Sequence, residues 1–278
     1  MLPSAPWILG KQPLQEKRSW RRMAEQEKNT IEKHQKKCYH YIIKTGCCAA
    51  IYRNVGMWMI ELTDISFSYG KKRILNKLSL SVRAGECVVL AGPNGCGKST
   101  ALSVMAGVLR PDAGTVRLGG CVGFVPQGTA LFEDMTVGDN LRFFAQLKKC
   151  PVPVALPFGA ERYLGTRVDK LSGGMKKQVS IACALLGDPQ VLLLDEPCGA
   201  LDAQYRQELV QLVLERKQQG CAIVYVGHEP QEFSAFYDKL VFLGKGEYTR
   251  QQLSPQGTDD LRFCSTFYEL VREESPNE

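Results

Sequence analysis

The period of the hydrophobic positions changes at definite places along this chain, and those changes mark its elements. MIELTDISFSY (59–69) and LNKLSLSVRAG (75–85) alternate apolar with polar residues, as half-buried strands do, and Ala84 and Gly85 supply the turn that closes the second. ECVVLAG is apolar without interruption, which suits a strand buried on both faces, and STALSVMAGVL after it has helical spacing. Beyond PDAGTVRLGG, the strand CVGFVPQ leads into residues 128–170, where TVGDNLRFFAQLKK is helical and PVPVALPFG is a Pro-rich connection. A helix opening at LSGG completes a helical subdomain over 128–185. The strand VLLLDEP, the helix QYRQELVQLVLERKQQG, the strand CAIVYVGH and a last strand KLVFLGKG follow. An initial antiparallel sheet, then strands alternating with helices, predicts the α/β class with a mainly parallel core sheet.

Composition adds a boundary. The chain has 278 residues, 44% of them apolar, and a formal charge of +6. Residues 1–58 hold eleven Lys or Arg against four Glu, whereas residues 59–278 hold 24 against 25. The basic balance therefore belongs to the leading segment, which also holds every tryptophan: Trp7, Trp20 and Trp58. We expect 1–58 to be a disordered leader or a mis-assigned start, 59–250 to be the working domain and 251–278 a short tail. A near-neutral body gives no nucleic-acid footprint. Eleven cysteines, odd in number and without CxxC spacing, read as reduced thiols of a cytosolic protein. The longest apolar candidate, CCAAIYRNVGMWMIEL, is interrupted by Arg53 and Asn54 and is too broken to span a membrane.

Three motifs carry chemistry. In AGPNGCGKST (91–100) the glycines Gly92, Gly95 and Gly97 allow backbone N–H groups to turn inward around phosphate oxygens. Lys98 should reach the β and γ phosphates and Ser99 should ligate Mg²⁺, with Pro93, Asn94, Cys96 and Thr100 completing the loop. VLLLDEP ends an apolar strand in Asp195 and Glu196, a magnesium-orienting carboxylate and a water-positioning base if the strand lies beside that loop. LSGGM places Ser172, Gly173, Gly174 and Met175 at a helix start, a second anion cradle. Taken singly, Ser172 is an ordinary N-cap and an Asp-Glu pair an exposed turn. Their order along the chain argues otherwise.

Residues 59 to about 248 resemble the nucleotide-binding subunit of an ATP-binding cassette transporter. The motifs that carry the resemblance are Tyr69, GPNGCGKST, Gln127 in FVPQ, LSGGM, VLLLDEP, Asp202 in ALD and His228 in VGHEP. It implies a P-loop ATPase in which two subunits dimerise head to tail, each ATP closed between the loop of one and the LSGG turn of the other. This gives the second cradle a role. The resemblance further implies that Tyr69 stacks on adenine, that Gln127 joins Ser99 and Asp195 around Mg²⁺, and that His228 contacts the γ phosphate. Glu196 is then the general base, and Asp202 communicates across a homodimer or heterodimer. A separately encoded multi-span membrane subunit is the expected partner, with this chain peripheral on the cytoplasmic face. Met175 departs from the glutamine common in the family, as Cys198 and Gly199 depart from hydroxyl-bearing residues. LSGGMKK, the short insertion and the 50 residues after His228 resemble compact exporters. A soluble cluster-assembly ATPase is the alternative; a nucleotide kinase would give LSGGM no role.

Overall fold

A computed structural model describes residues 58–199, 201–244 and the pair Tyr248–Thr249. The basic leader up to residue 57 and the tail expected at 251–278 lie outside the described residues. Strands β1 (Trp58–Tyr69) and β2 (Lys72–Arg83) form an antiparallel hairpin, joined on the free edge of β1 by β4 (Ala113–Leu118). The second sheet has the order β5-β6-β7-β3-β8-β9 and is built from β3 (Cys87–Ala91), β5 (Val122–Val125), β6 (Val191–Asp195), β7 (Ala222–Val226), β8 (Lys239–Leu243) and the two-residue β9 (Tyr248–Thr249). Every pairing in it is parallel except β8 with β9. Among the described residues, four α-helices pack around these sheets: α1 (Lys98–Met105), α2 (Val137–Leu147), α3 (Gly173–Leu185) and α4 (Ala203–Gln218).

Alternation along the central strands divides the core in two. Val88 and Leu90 of β3 face the antiparallel sheet and α1, where Leu62, Leu75, Leu102 and Met105 are buried. Cys87, Val89 and Ala91 face the other way, toward Ile181 of α3 and Leu209 and Val213 of α4. Both faces of β3, β6 and β7 are thus covered, which is why these strands read as continuous apolar runs.

The structure differs from the sequence reading at three places. The stretch PDAGTVRLGG contains a strand, β4, that its exposed positions conceal. The helix after the loop stops at Met105 instead of Leu109, because Ala106 and Gly107 (φ 69°) turn the chain there. KLVFLGKG is not the last strand, since β9 pairs with it.

Candidate functional site

Parallel strands deliver their C-terminal ends to one edge, and four of them end in residues singled out by the sequence. β3 runs into the Gly-rich loop, β5 into Gln127, β6 into Asp195 and Glu196, and β7 into Gly227 and His228. This edge is where open α/β sheets bind ligands.

The loop after β3 needs glycine for two separate reasons. At Gly92 (φ 141°) a Cβ would lie 2.3 Å from the Leu243 carbonyl oxygen, so the loop can pass the end of β8 only without a side chain. At Gly97 (φ 110°) the backbone is left-handed at the N-cap of α1, and a Cβ would press on Ile74 and Leu75. These contacts are with protein, so the glycines shape the loop as well as keeping its concave side open. Gly95 is likewise left-handed (φ 79°), with open space around its Cβ position. Lys98, 5% exposed, folds its Nζ back to donate to the carbonyls of Gly92 (2.8 Å) and Pro93 (3.0 Å). An ammonium has three donors, and two are used here.

Ser99 and Asp195 lie 96 residues apart in sequence yet meet at the edge, the hydroxyl donating to Asp195 Oδ1 at 3.2 Å. Asp195 is 2% exposed, and burial above all, followed by the neighbouring Glu196, raises its carboxyl above the usual range against the opposing pull of Ser99, Lys177 and Lys98. A hydroxyl and a buried carboxylate are hard oxygen donors, and a cation would relieve the burial of the carboxylate's charge, so the pair fits Mg²⁺. Among the described residues no group of three His, Cys, Asp or Glu converges. A cation at this pair would therefore complete its shell from phosphates and water, as Mg²⁺ commonly does.

Glu196 has a backbone φ of 46°, left-handed and costly for a residue with a side chain, and its N–H is tied to the Val226 carbonyl at 3.0 Å. That geometry sets its carboxylate between two partners. Gln127 Nε2 donates to Oε2 at 3.0 Å, and His228 Nε2 lies 2.7 Å from Oε1. A half-buried carboxylate oriented from both sides is arranged to accept a proton from a water placed beside it.

The remaining expected residues make their contacts elsewhere. Tyr69, 49% exposed at the tip of the β1–β2 hairpin, packs edge-on against Phe67 with ring centroids 4.9 Å apart. Ser172 is the N-cap of α3 and accepts from the Met175 N–H at 3.2 Å, with Ser172 and Gly173 exposed. Its hydroxyl hydrogen and the early amides of the helix remain available to an anion. Asp202, also exposed, caps α4 by accepting from the Tyr205 N–H at 3.1 Å. The phosphate loop follows β3, whereas the LSGG turn opens α3, which packs beside β5, three positions from β3 in the sheet.

Two further residues join the site without having been singled out. Lys177 of α3 is 4% exposed, and its ammonium caps the carbonyls of Pro126 and Gln127; burial lowers its pKa, against the pull of Asp195 and Glu196. The sequence signal was a lysine in one stripe with Ile181 and Ala184, at i, i+4 and i+7. Tyr225 donates to the Cys198 sulfur at 3.3 Å beneath the turn after Glu196, where burial pushes the thiol up to about 11. Cys198 is an inert, buried neighbour.

Residues 75–199 match the family described as ABC transporter. The chain is 36% identical over 211 residues to a sulfate/thiosulfate import ATP-binding protein of Pectobacterium atrosepticum, covering 67% of this chain and 64% of that one. It is 37% identical over 207 residues to Nod factor export ATP-binding protein I of Burkholderia orbicola, covering 67% of this chain and 68% of the relative. The chain thus spans about two thirds of the length of these relatives. Among solved structures, an ATP-binding subunit of an ABC transporter superposes with a TM-score of 0.66 at 27% identity, over 78% of this chain and 97% of that one. A dimeric ATP-binding cassette bound to ADP and Pi superposes with a TM-score of 0.63 at 25% identity, over 72% of this chain and all of that one. The order of motifs, the strand-end cluster and these similarities together make the chain a member of the ABC transporter family, with the P-loop fold of its nucleotide-binding ATPase subunits.

Proposed function

We propose that this chain hydrolyses Mg-ATP in a head-to-tail dimer and drives a separately encoded, multi-span membrane subunit in the export direction. The observation that carries the reading is the Glu196 carboxylate held between Gln127 and His228, on the strand next to the one that ends at His228 and two strands from the phosphate loop. Glu196 takes the proton of the attacking water, and His228 holds the far side of that carboxylate while reaching toward the γ phosphate. Lys98 offers its third donor to the phosphates, alongside the amides of the loop from Gly92 to Thr100, and Tyr69 offers its exposed ring to the adenine. Ser99, Asp195 and Gln127 would hold Mg²⁺, which when bound would supply charge neutralisation of the phosphates.

Dimerisation follows from the separation of the two cradles. In the Ser172–Met175 turn Ser172 and Gly173 are exposed, and the turn opens a different element from the phosphate loop, so it serves the loop of a second subunit, with Asp202 at the same junction. The relatives include both import and export proteins; the LSGGMKK form of the turn argues for export. No helix among the described residues is long and apolar enough to cross a membrane, which suits a subunit docked on the cytoplasmic face through the segment 128–170. Glu196→Gln keeps the shape and removes the base. On size-exclusion chromatography with ATP this variant should run as a dimer, and phosphate release should fall at least a hundredfold; turnover near wild type would overturn the assignment. Lys98→Ala should lose nucleotide affinity as well, because it leaves phosphate charge unpaired.

A further inference from the structure

Helix α3 carries more than the exposed turn at its start. Five residues in from Ser172, Lys177 is buried on the face that holds Ile181 and Ala184, and its Nζ donates to three consecutive carbonyls: Pro126 at 2.9 Å, Gln127 at 2.7 Å and Gly128 at 3.4 Å. Burying an ammonium is costly unless its donors are satisfied, and here each of the three has an acceptor. Besides Lys98 in the phosphate loop, Lys177 is the buried lysine among the described residues, and it is set against the segment that carries Gln127. From the same segment the Gln127 side chain donates to Glu196 Oε2 at 3.0 Å. A continuous set of contacts therefore runs from the Ser172 turn, along about 7.5 Å of helix, through one ammonium and one amide, to the carboxylate.

We infer that Lys177 is a positioning residue that fixes the Gln127 segment to α3, so that a shift of the LSGG turn on meeting the partner's nucleotide is delivered to this subunit's own Glu196. The inference rests on the dimer reading above. Rigid linkage is what the geometry provides: three carbonyls on one ammonium leave the segment little freedom to move independently of the helix. An apolar residue at 177 would pack equally well but would leave those carbonyls unpaired and the segment free to drift from Glu196.

The test uses the full chain, with ATPase rate followed against ATP concentration and nucleotide affinity measured separately with a fluorescent ATP analogue. For Lys177→Met the expected result is a fivefold or greater loss of kcat, analogue affinity within twofold of wild type, and a Hill coefficient falling toward one. Lys177→Arg, which keeps charge and several donors, should recover kcat to within threefold. A kcat loss under fivefold overturns the inference. So does an equal loss of kcat and affinity without recovery in Lys177→Arg, the signature of a merely structural role. Should Lys177→Met not fold, Lys177→Gln is held to the same criteria. If Glu196→Gln stays monomeric in ATP, the dimer reading fails by itself; the kcat-against-affinity split and the recovery by arginine still decide the role of Lys177.

Discussion

Asp195 sits 2% exposed at the end of β6 with its pKa raised, chiefly by burial, so ionising it in the folded protein works against stability. A carboxyl whose folded pKa exceeds its unfolded one destabilises above that folded value, and the penalty disappears as pH falls through it. Asp195→Asn should consequently raise the melting temperature of the nucleotide-free protein at pH 8 by about 2–4 °C, on the scale of about 1 kcal/mol. The gap should narrow as pH is lowered into the carboxylate range, while Mg-dependent turnover is lost at every pH; paired thermal melts at pH 8 and pH 5 measure it. A lower melting temperature for the variant at pH 8 would mean that the Ser99 bond outweighs the burial. Met175 presents the opposite case. Its backbone N–H serves the Ser172 cap, and its thioether has no strong donor to offer an anion. Met175→Gln should change the ATPase rate only a few fold, as one neutral hydrogen bond worth about 1 kcal/mol allows; a hundredfold change in a steady-state assay would give the side chain a direct role.

At the scale of elements, α3 is anchored at both ends by polar contacts as well as by its buried residues from Lys177 to Ala184. Ser172 caps its start, and Lys148, just past the end of α2, donates to the carbonyls of Cys183 (3.3 Å), Ala184 (2.6 Å) and Leu186 (3.0 Å) at its finish. A cation on the last carbonyls of a helix also meets the negative end of its dipole. Lys148→Met should cost roughly 2 kcal/mol in urea unfolding, within the range for hydrogen bonds to a charged group, with little change in nucleotide affinity. The strands that build the site were legible in the sequence because burial on both faces leaves uninterrupted apolar runs, and each run ends in its functional residues. β4 was not, since only Val116 and Leu118 give it apolar character and the strand lies at a sheet edge. For Lys177 the pattern gave only its place in a stripe with Ile181 and Ala184, because lysine at a helix position reads as surface until its carbonyl partners are in place. The left-handed backbone of Glu196 is equally silent, as a strained φ leaves no mark on composition.

At the scale of the whole molecule, the proposed site gathers the phosphate loop, Asp195 and Glu196 at one sheet edge, while the LSGG turn opens α3. On the dimer reading, the turn completes the site of a second copy. Two inactive variants can test this together: Lys98→Ala, defective in its loop, and Ser172→Arg, defective in its turn. In a head-to-tail dimer of the two, both defects fall on one site and the other is intact. Phosphate release is measured for each variant alone and for an equimolar mixture. Each alone should be near background, and the mixture should recover a substantial fraction of wild-type turnover. A mixture no more active than the mean of its two components would contradict a site shared between subunits.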